Sequence, residues 1–343
     1  MESKQNLGQF YTTNYEYILQ NLNIPEGVCD IIEPFAGMGD LLKFLDTNKY
    51  NLQCYDIDPK QSYIQKRDTL LDPPDFNNKY VITNPPYLAR NKSTNKSLFD
   101  KYNCNDLYKC FIQIIINCNC LGGILIVPLN FFCSIRKNDI QLRQQFLTKY
   151  DIIHINIFEE RVFDDTSYTI CSFQFQLKSE ESLTTTCLIY PSKKTINFVL
   201  NSKNNYLIGG EIYHLPQTSN YKIERGTKKT TNLQNITNIL AKCIDDNINN
   251  KVGLSIVDDT TKNKYIDTTA NLTSRSYATL VITPSLSIEK QRELVEKFNN
   301  YFNEYREKYH SLFLTNYRES NSIARKRISF SLTFQIVNYL LLE

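Results

Sequence analysis

Two short segments of the chain combine residue types that could do chemistry. In Asn84-Pro85-Pro86-Tyr87, an amide side chain precedes two residues that have no backbone N–H group. Because prolines stiffen the backbone and leave nearby carbonyls outside local turns, the Asn84 amide oxygen and the Pro85 carbonyl can both accept hydrogen bonds from one exocyclic amine. Those bonds localise the nitrogen lone pair, and Tyr87 offers a ring that can stack on the attached base. The segment therefore indicates a site that makes a ring-bound amine nucleophilic.

The second segment is a glycine turn that extends from Glu33 to Asp40. It follows an apolar run and precedes apolar residues at helical spacing, a pattern that predicts strand, turn and helix. Gly37 and Gly39 let the backbone approach a ligand without a Cβ clash. Asp56 ends the next predicted strand, where a carboxylate can hold ribose hydroxyls. The phosphate-loop patterns GxGxxG and GxxxxGK[ST] are missing from the sequence, which favours a nucleoside over a dinucleotide or a nucleoside triphosphate.

A parallel sheet is needed to bring these two segments together. Strand-like and helix-like segments alternate in the first half of the chain: strands at Val28–Ile32, Asn51–Ile57, Tyr80–Thr83 and Gly123–Pro128, and a helix at Tyr108–Asn117. The alternation predicts an α/β fold with a Rossmann-like sheet, helices on both faces and ligands at the carboxyl ends of the strands. Ile152–Phe158 and Tyr168–Leu177 are predicted to close the sheet. The strict alternation in the second of them predicts a half-exposed antiparallel or edge strand.

Composition divides the chain into two predicted domains. After Lys178 the sequence becomes rich in Ser, Thr, Asn and Lys, so we place the boundary between a domain at 1–179 and a smaller mixed α+β domain at 180–343. In the second domain, Ser287 is predicted to cap a helix that extends to Tyr309, and a further helical stretch covers Ile328–Leu342.

Charge and cysteine content narrow the class of protein. The 343 residues carry 39 Lys+Arg and 36 Asp+Glu, hence +3. Residues 1–179 hold 18 basic and 20 acidic side chains (−2), and residues 180–343 hold 21 and 16 (+5). No apolar run approaches the ~20 residues that span a bilayer, and no signal peptide is evident, so a cytoplasmic protein is expected. The ten cysteines are expected to be free thiols, and no metal-ligand cluster is found in the sequence.

In their order along residues 6–178, the motifs resemble those of the S-adenosylmethionine-dependent amino-methyltransferases of DNA in the gamma arrangement. The matching segments are Leu7–Thr12, Glu33–Asp40, Asp56, Arg67–Leu70, Asn84–Tyr87, Asn105–Tyr108 with Phe111, and Gly122–Pro128. The resemblance implies transfer of a methyl group from S-adenosylmethionine to N6 of an adenine flipped out of double-stranded DNA. It further implies a monomer whose cognate restriction endonuclease is encoded separately, with target recognition in the second domain.

The resemblance assigns roles to individual residues. Asn84, Pro85, Pro86 and Tyr87 correspond to the catalytic motif. Cofactor contacts are implied for Gln9, Tyr11, Thr12, Glu33, Pro34, Phe35, Ala36, Gly37, Gly39, Asp56, Ile57, Asp68, Thr69, Asn84 and Pro86. Thr69 stands where the family commonly has an aromatic or apolar residue. Phe163 is our choice for the second face of the target base, with Tyr168 as the alternative.

DNA contacts in the second domain are predicted from the densest basic segment. Arg325, Lys326 and Arg327 are expected on phosphates and Arg318 on a base edge. If that segment does not bind DNA, Arg225–Lys229 and Arg275–Tyr277 are the next candidates.

Other functions remain open at this point. A glutamine or an RNA adenine presents a similar amine, although glutamine methyltransferases usually carry a helical domain before the catalytic one. Cytosine N4 is also possible, although that activity more often resembles Ser-Pro-Pro. A protein of another class, a non-catalytic DNA-binding protein that keeps the fold, is a further alternative.

Overall fold

A computed structural model of the chain describes residues 11–163, 168–179, 183–216, 220–247, 251–316 and 325–341. Two compact units are evident. Residues up to Tyr206 form the first unit and residues from Leu207 form the second, apart from Arg318–Ala324, which lie outside the described residues. Among the helices of the described chain, none is long and apolar enough to cross a membrane.

A nine-stranded mixed sheet lies at the centre of the described first unit. Its strands are β1 (Asp30–Glu33), β2 (Asn51–Asp56), β3 (Gln65–Lys66), β4 (Tyr80–Thr83), β5 (Gly122–Pro128), β6 (Tyr150–Phe158), β7 (Ile170–Leu177), β8 (Thr185–Tyr190) and β9 (Lys194–Phe198). Their spatial order is β3-β2-β1-β4-β5-β7-β6-β8-β9. Strands β1 to β5 pair in parallel, and β7 is antiparallel to both β5 and β6. The predicted α/β fold with a largely parallel sheet is confirmed.

The strand order creates a switch point beside β1. The chain passes from β1 outward to β2 and β3, and then returns to form β4 on the other side of β1. Two neighbouring parallel strands whose connections leave in opposite directions open a crevice at their carboxyl ends, which is where ligands bind in such sheets. Glu33 ends β1 and Thr83 ends β4, so both predicted segments start at this crevice.

The helices of the first unit are α1 (Tyr15–Leu19), α2 (Ser97–Lys101), α3 (Leu107–Asn117), α4 (Asn130–Cys133) and α5 (Lys137–Lys149). Helix α3 confirms the helix that was predicted at Tyr108–Asn117. After the glycine turn, however, Asp40–Phe44 forms a 3₁₀ helix in place of the expected α-helix. Leu45 is already extended and Asp46 accepts the N–H of Asn48 in a turn, so the segment ends after one short helix.

Strand β7 corrects the prediction of a half-exposed edge strand. It is antiparallel as expected, but it lies between β5 and β6 and is almost completely buried. Phe173 packs against Phe146 of α5, while the alternate polar residues face the N-terminal segment, where Ser172 donates to the Ile18 carbonyl at 2.5 Å. The alternation of side chains in β7 therefore separates a face that packs against apolar residues from a face that forms hydrogen bonds. Neither face of the strand is open to solvent.

The boundary between the units lies after Tyr206 and not at residue 179. The polar segment that suggested a linker is followed by β8, which pairs in parallel with β6, and by β9, which pairs antiparallel with β8. Thr185, Cys187 and Ile189 of β8 are buried, so these strands extend the first sheet. Composition alone did not reveal this, because the strands are short and flanked by polar turns.

The second unit combines a four-stranded antiparallel sheet with helices. Its strands are β10 (Lys222–Arg225), β11 (Ile236–Lys242), β12 (Gly253–Ile256) and β13 (Tyr277–Thr283), in the order β10-β13-β11-β12. Its helices are α6 (Asp259–Lys264), α7 (Ile288–Tyr309) and α8 (Phe330–Leu340), and β14 (Thr315–Asn316) pairs with β15 (Lys326–Arg327). Ser287 accepts the N–H of Lys290, which confirms the predicted cap of α7, and α8 confirms the second predicted helix.

Candidate functional site

The candidate site begins where β1 and β4 end. One carboxylate oxygen of Glu33 accepts hydrogen bonds from the Thr83 hydroxyl at 2.5 Å and from the Phe35 N–H at 3.2 Å. Glu33 therefore joins the end of β4 to the first residues of the glycine turn. The chain reaches Asn84 directly after Thr83, so the two predicted segments lie side by side.

Glu33 carries a buried oxygen that its surroundings do not satisfy. The residue is 1% exposed, and its Oε2 atom has no hydrogen-bond partner among the described residues. The pKa of Glu33 is raised to about 8, chiefly by burial and to a smaller extent by the nearby Asp56, against the opposing effect of the hydrogen bonds from Thr83 and Phe35. A buried carboxyl group of this kind fits a ligand that brings a cation or an N–H donor.

The glycine turn has the geometry that the sequence predicted. Gly37 and Gly39 have φ values of 55° and 82°, in the left-handed region that favours glycine. A Cβ atom on Gly37 would lie 2.9 Å from the ring of Tyr11, and one on Gly39 would collide with the hydroxyl of Tyr63. The space beside these two glycines is therefore occupied by the side chains of Tyr11 and Tyr63, and any other residue at either position would displace them.

Asp56 supports the turn from the end of β2. Its Oδ2 atom accepts the N–H of Gly37 at 2.8 Å, and its Oδ1 atom accepts the N–H of Asp58 at 2.8 Å. A carboxylate oxygen can accept a second hydrogen bond, so these contacts are compatible with the predicted ribose contact. They also give Asp56 a structural role that its position in the sequence did not reveal.

The segment after β3 contains two residues predicted at the cofactor. Asp68 uses Oδ1 to accept the N–H groups of Leu70 and Leu71 at 3.1 and 3.2 Å, which closes a local turn. Thr69 is buried and donates its hydroxyl to the Pro34 carbonyl at 2.8 Å. Its side chain therefore holds the glycine turn in place, and its contact with a cofactor stays a prediction. Ile57, in contrast, is exposed at the end of β2.

Asn84 is oriented by its neighbours. Its amide nitrogen donates to the Thr12 hydroxyl oxygen at 3.0 Å, and its amide oxygen accepts a hydrogen bond from the hydroxyl of Tyr87. This arrangement distinguishes the two ends of the amide, with the nitrogen toward Thr12 and the oxygen toward Tyr87. Thr12 was predicted at the cofactor, and the structure adds that it positions Asn84.

Tyr87 does not present an open ring. The residue is 3% exposed, and the single hydrogen of its hydroxyl is shared between the Asn84 amide oxygen and the Ile126 carbonyl of β5, which lies 2.8 Å from the hydroxyl oxygen. Burial raises the pKa of Tyr87 well above its ordinary value. The expectation of a ring free for stacking is therefore corrected, because the hydroxyl anchors the side chain inward against β5.

Two further aromatic rings meet Tyr87 edge to face. The ring centroids of Tyr108 and Tyr168 lie 6.1 and 6.3 Å from that of Tyr87. Phe163, our first choice for the second face of the base, is buried, whereas Tyr168 is partly exposed and lines a cavity beside the site. Of these two residues, Tyr168 therefore has the more exposed side chain beside the site, and contact of either ring with a base stays a prediction.

The basic segment of the second unit makes internal contacts. Arg325 forms an ion pair with Asp245 at 2.6 Å, and Arg327 donates to the Arg275 carbonyl at 2.7 Å. Lys326 is 4% exposed and donates to the His310 carbonyl at 3.2 Å. Lys326 is thus unsuited to a phosphate contact, because β15 pairs with β14 and turns this side chain into the unit. Gln9 and Arg318 lie outside the described residues.

Sequence reasoning assigned no role to Asp106 and Asn130 as individual residues. Both line the cavity beside Tyr168, and each has a buried side-chain oxygen without a hydrogen-bond partner among the described residues. Asp106 belongs to the Asn105–Tyr108 segment that the resemblance included. No sequence pattern pointed to Asn130. It lines the cavity because it comes shortly after the carboxyl end of β5 in the folded chain.

Three solved structures from bacteria show low similarity to this chain. A methyltransferase subunit of a type I restriction–modification system from Streptococcus thermophilus has 13% identity and a TM-score of 0.39, with 53% of this chain and 47% of that chain covered. A protein from Vibrio vulnificus, described as a modification subunit of a type I restriction enzyme, has 13% identity and a TM-score of 0.42, with coverage of 55% and 48%. A protein from Listeria monocytogenes, described as a class I S-adenosylmethionine-dependent methyltransferase, has 14% identity and a TM-score of 0.37, with coverage of 51% and 61%.

This chain spans about half to three fifths of the length of those structures. Similarity at this level supports no inference about activity. No curated protein matches the sequence. Residues 40–163, a little over a third of the chain, match the family model of the Eco57I restriction-modification methylases. The matched region contains Asp56, Asn84 and Tyr87, and it supports a methyltransferase domain of the restriction–modification type.

Proposed function

We propose that this protein transfers a methyl group from S-adenosylmethionine to N6 of an adenine in double-stranded DNA. The observation that carries the proposal is the position of Asn84-Pro85-Pro86-Tyr87 at the carboxyl end of β4, beside the glycine turn and the buried Glu33 carboxyl at the end of β1. A site for an amine and a site for a nucleoside therefore share one crevice.

The residues at the end of β1 fit this cofactor. S-adenosylmethionine carries an ammonium group and a sulfonium group, and Glu33 offers a buried oxygen that lacks a partner among the described residues. Gly37 and Gly39 give the turn its left-handed backbone, while Asp56 and Ile57 at the end of β2 offer a carboxylate and an exposed apolar surface for a nucleoside. When bound, the cofactor supplies an activated methyl group on its sulfonium.

Asn84 and Pro85 act on the target amine. Thr12 holds the Asn84 nitrogen, so the amide oxygen is directed toward Tyr87, and an amide oxygen has two acceptor positions. One takes the Tyr87 hydroxyl and the second takes a hydrogen of the exocyclic amine, while the Pro85 carbonyl takes the other hydrogen. Holding the amine in this way keeps its lone pair on nitrogen and aligned for transfer, so orientation is the main catalytic contribution of the chain.

An adenine within a duplex cannot reach this crevice while it is stacked. Base flipping is therefore part of the proposal, at a cost of a few kcal/mol. DNA contacts in the second unit are proposed for the exposed cations Lys228, Lys229 and Arg275, since Arg325 and Lys326 make internal contacts. Arg318 stays a prediction.

Transfer of a radiolabelled methyl group to unmethylated genomic DNA, followed by nucleoside analysis, tests the proposal. N6-methyladenine is expected with the wild type, and Asn84→Ala is expected to lose at least tenfold in rate, about 1.4 kcal/mol of transition-state stabilisation, with cofactor affinity retained. Formation of N4-methylcytosine would show that the target base is cytosine and not adenine. Label found only in RNA or in protein would show that the substrate is not DNA.

Cofactor binding by calorimetry separates the enzyme from a non-catalytic DNA-binding protein with the same fold. A wild type that binds DNA but not S-adenosylmethionine would remove the enzymatic proposal. Normal turnover by Asn84→Ala would remove the assigned mechanism.

A further inference from the structure

A cavity of about 540 Å³ lies at the carboxyl ends of β4 and β5 in the first unit. Its wall is formed by the segment after Tyr87, the start of α3, the end of β5, the start of α5 and Tyr168 shortly before β7. The lining residues used below are Asn105, Asp106, Tyr108, Lys109, Asn130 and Tyr168. The volume is large enough for a nucleotide, and it falls within the range of ordinary ligand sites.

Two of the residues that line the cavity each carry a buried and unsatisfied oxygen. The Oδ1 atoms of Asp106 and Asn130 have no hydrogen-bond partner within the described residues. Asp106 as a whole is 8% exposed. Buried polar atoms in proteins are almost always hydrogen-bonded, so two such atoms on residues that line one cavity indicate a polar ligand.

Backbone contacts connect Asp106 to the target-amine site. Ala89 and Asp106 form an antiparallel bridge, and the Leu107 N–H donates to the Leu88 carbonyl at 3.2 Å. Asp106 is thus held against the residues that directly follow Tyr87. Tyr108 and Tyr168 line the cavity and also contact the ring of Tyr87, so the cavity is the space next to the amine site.

The surroundings of Asp106 favour a neutral carboxyl group. Burial raises the pKa of Asp106 to about 7, against the opposing effects of the Lys109 ammonium and of nearby backbone N–H groups. Lys109 is already matched by a carboxylate, because its ammonium lies 2.6 Å from Asp139 Oδ1 and 2.8 Å from Asn105 Oδ1. Among the described residues, the charged and titratable groups around Asp106 include Tyr87, Arg90, Lys96, Cys104, Tyr108, Lys109, Cys110, Arg136, Asp139 and Tyr168.

We propose that Asp106, in its neutral form, donates a hydrogen bond to a ring nitrogen beside the exocyclic amine of the target base. The inference rests on the proposed function, since it places the base in this cavity. In adenine the amine is flanked by N1 and N7, both of which are acceptors, and in cytosine it is flanked by the acceptor N3. A donor next to the Asn84 site therefore orients a base by the ring acceptor beside its amine.

Base analogues combined with variants of Asp106 test the contact directly. Duplexes carry 1-deazaadenine or 7-deazaadenine at the methylated position, so that one ring nitrogen becomes a C–H group. With one of the two analogues the wild type is expected to lose about tenfold in kcat/KM. Asp106→Ala is expected to lose about tenfold on adenine and nothing further with that analogue. Equal additional losses in wild type and Asp106→Ala for both analogues would overturn the proposal.

The Asp106→Asn variant distinguishes a role of Asp106 as a hydrogen-bond donor from a role as a proton acceptor. The Asn side chain keeps the shape and an N–H donor at every pH, so activity within a few-fold of wild type is expected. With saturating cofactor, wild-type kcat/KM is expected to fall as pH rises through about 7, where the donor is lost, and Asp106→Asn is expected not to show this fall. An inactive Asp106→Asn that still binds cofactor would overturn the proposal.

Asp30→Asn is the matched control, because it removes a carboxylate at the amino end of β1, on the edge of the sheet opposite the site. It is expected to retain wild-type kcat/KM and pH dependence. The failure of this inference is distinguishable from failure of the proposed function. If the wild type methylates no adenine, both are wrong. If it methylates adenine without coupling to Asp106, only the inference is wrong.

Discussion

The buried carboxyl of Glu33 leads to a prediction in which protein stability and cofactor affinity change in opposite directions. Burial raises the pKa of Glu33 from its ordinary 4.5 to about 8. A raised pKa in the folded state means that stability is fully present below pH 4.5 and is lost as pH rises toward 8. Between 4.5 and 7 this amounts to about 3 kcal/mol, at 1.36 kcal/mol per pH unit.

Glu33→Gln removes that pH dependence. Gln keeps the size of the side chain and an oxygen that can accept the Thr83 hydroxyl. Denaturant unfolding is expected to show the variant more stable than wild type by about 3 kcal/mol at pH 7 and equally stable near pH 4.5. Asp30→Asn serves as the control for loss of a carboxylate. A difference between Glu33→Gln and wild type that does not change with pH would refute the reasoning.

The Glu33→Gln substitution, which is expected to stabilise the protein at pH 7, is also expected to weaken cofactor binding. A cationic ligand needs the ionised carboxylate, so wild-type protein at pH 7 is expected to release up to one proton when S-adenosylmethionine binds. Calorimetry in buffers of different ionisation enthalpy measures this proton directly. Glu33→Gln is expected to release none and to bind about 10- to 100-fold more weakly, through loss of a charge-assisted hydrogen bond. Wild-type binding without proton release would refute the role of Glu33.

Three further outcomes follow from contacts at the site and in the second unit. Tyr87→Phe keeps the ring but loses the bonds to Asn84 and the Ile126 carbonyl, so kcat is expected to fall about tenfold with unchanged cofactor affinity; unchanged kcat would show that only the ring matters. Asp56→Ala leaves two backbone N–H groups without their acceptor, so calorimetry and unfolding are expected to show weaker cofactor binding and a loss of about 3 kcal/mol, neither of which the exposed-site variant Asp58→Ala reproduces. Lys326→Ala is expected to lower the stability of the second unit without changing the slope of log K for DNA against log salt, whereas a slope smaller by about 0.9 would restore Lys326 as a phosphate contact.

Local patterns were sufficient for several elements. Strand β4 has the predicted bounds, and Ser287 caps α7 as its side-chain chemistry predicted. The left-handed φ values of Gly37 and Gly39 also match the sequence, because only glycine adopts such angles at little cost. These features depend on residues within a few positions of one another, which is the range over which a sequence pattern carries information.

The boundary between the units and the environment of β7 depended on distant partners. Strand β8 belongs to the first sheet because it pairs with β6, about 30 residues earlier. Ser172 is buried because the Ile18 carbonyl, 154 residues away in the chain, accepts its hydroxyl. No local pattern distinguishes a polar residue that faces water from one that faces a distant carbonyl.

For the candidate site, the sequence by itself determined which groups stand at the ends of the strands. Glu33, Asp56 and Asn84 follow apolar strand-like runs, and the carboxyl ends of parallel strands meet at one edge of a sheet. Only the tertiary structure decided what these groups and their neighbours contact. It turned Tyr87 inward to the β5 carbonyl, used Thr69 to hold Pro34, and left an oxygen of Asp106 unsatisfied in a cavity. The physical reason is that burial and hydrogen-bond partners come from residues far apart in the chain, so they exist only after the strands and helices have packed.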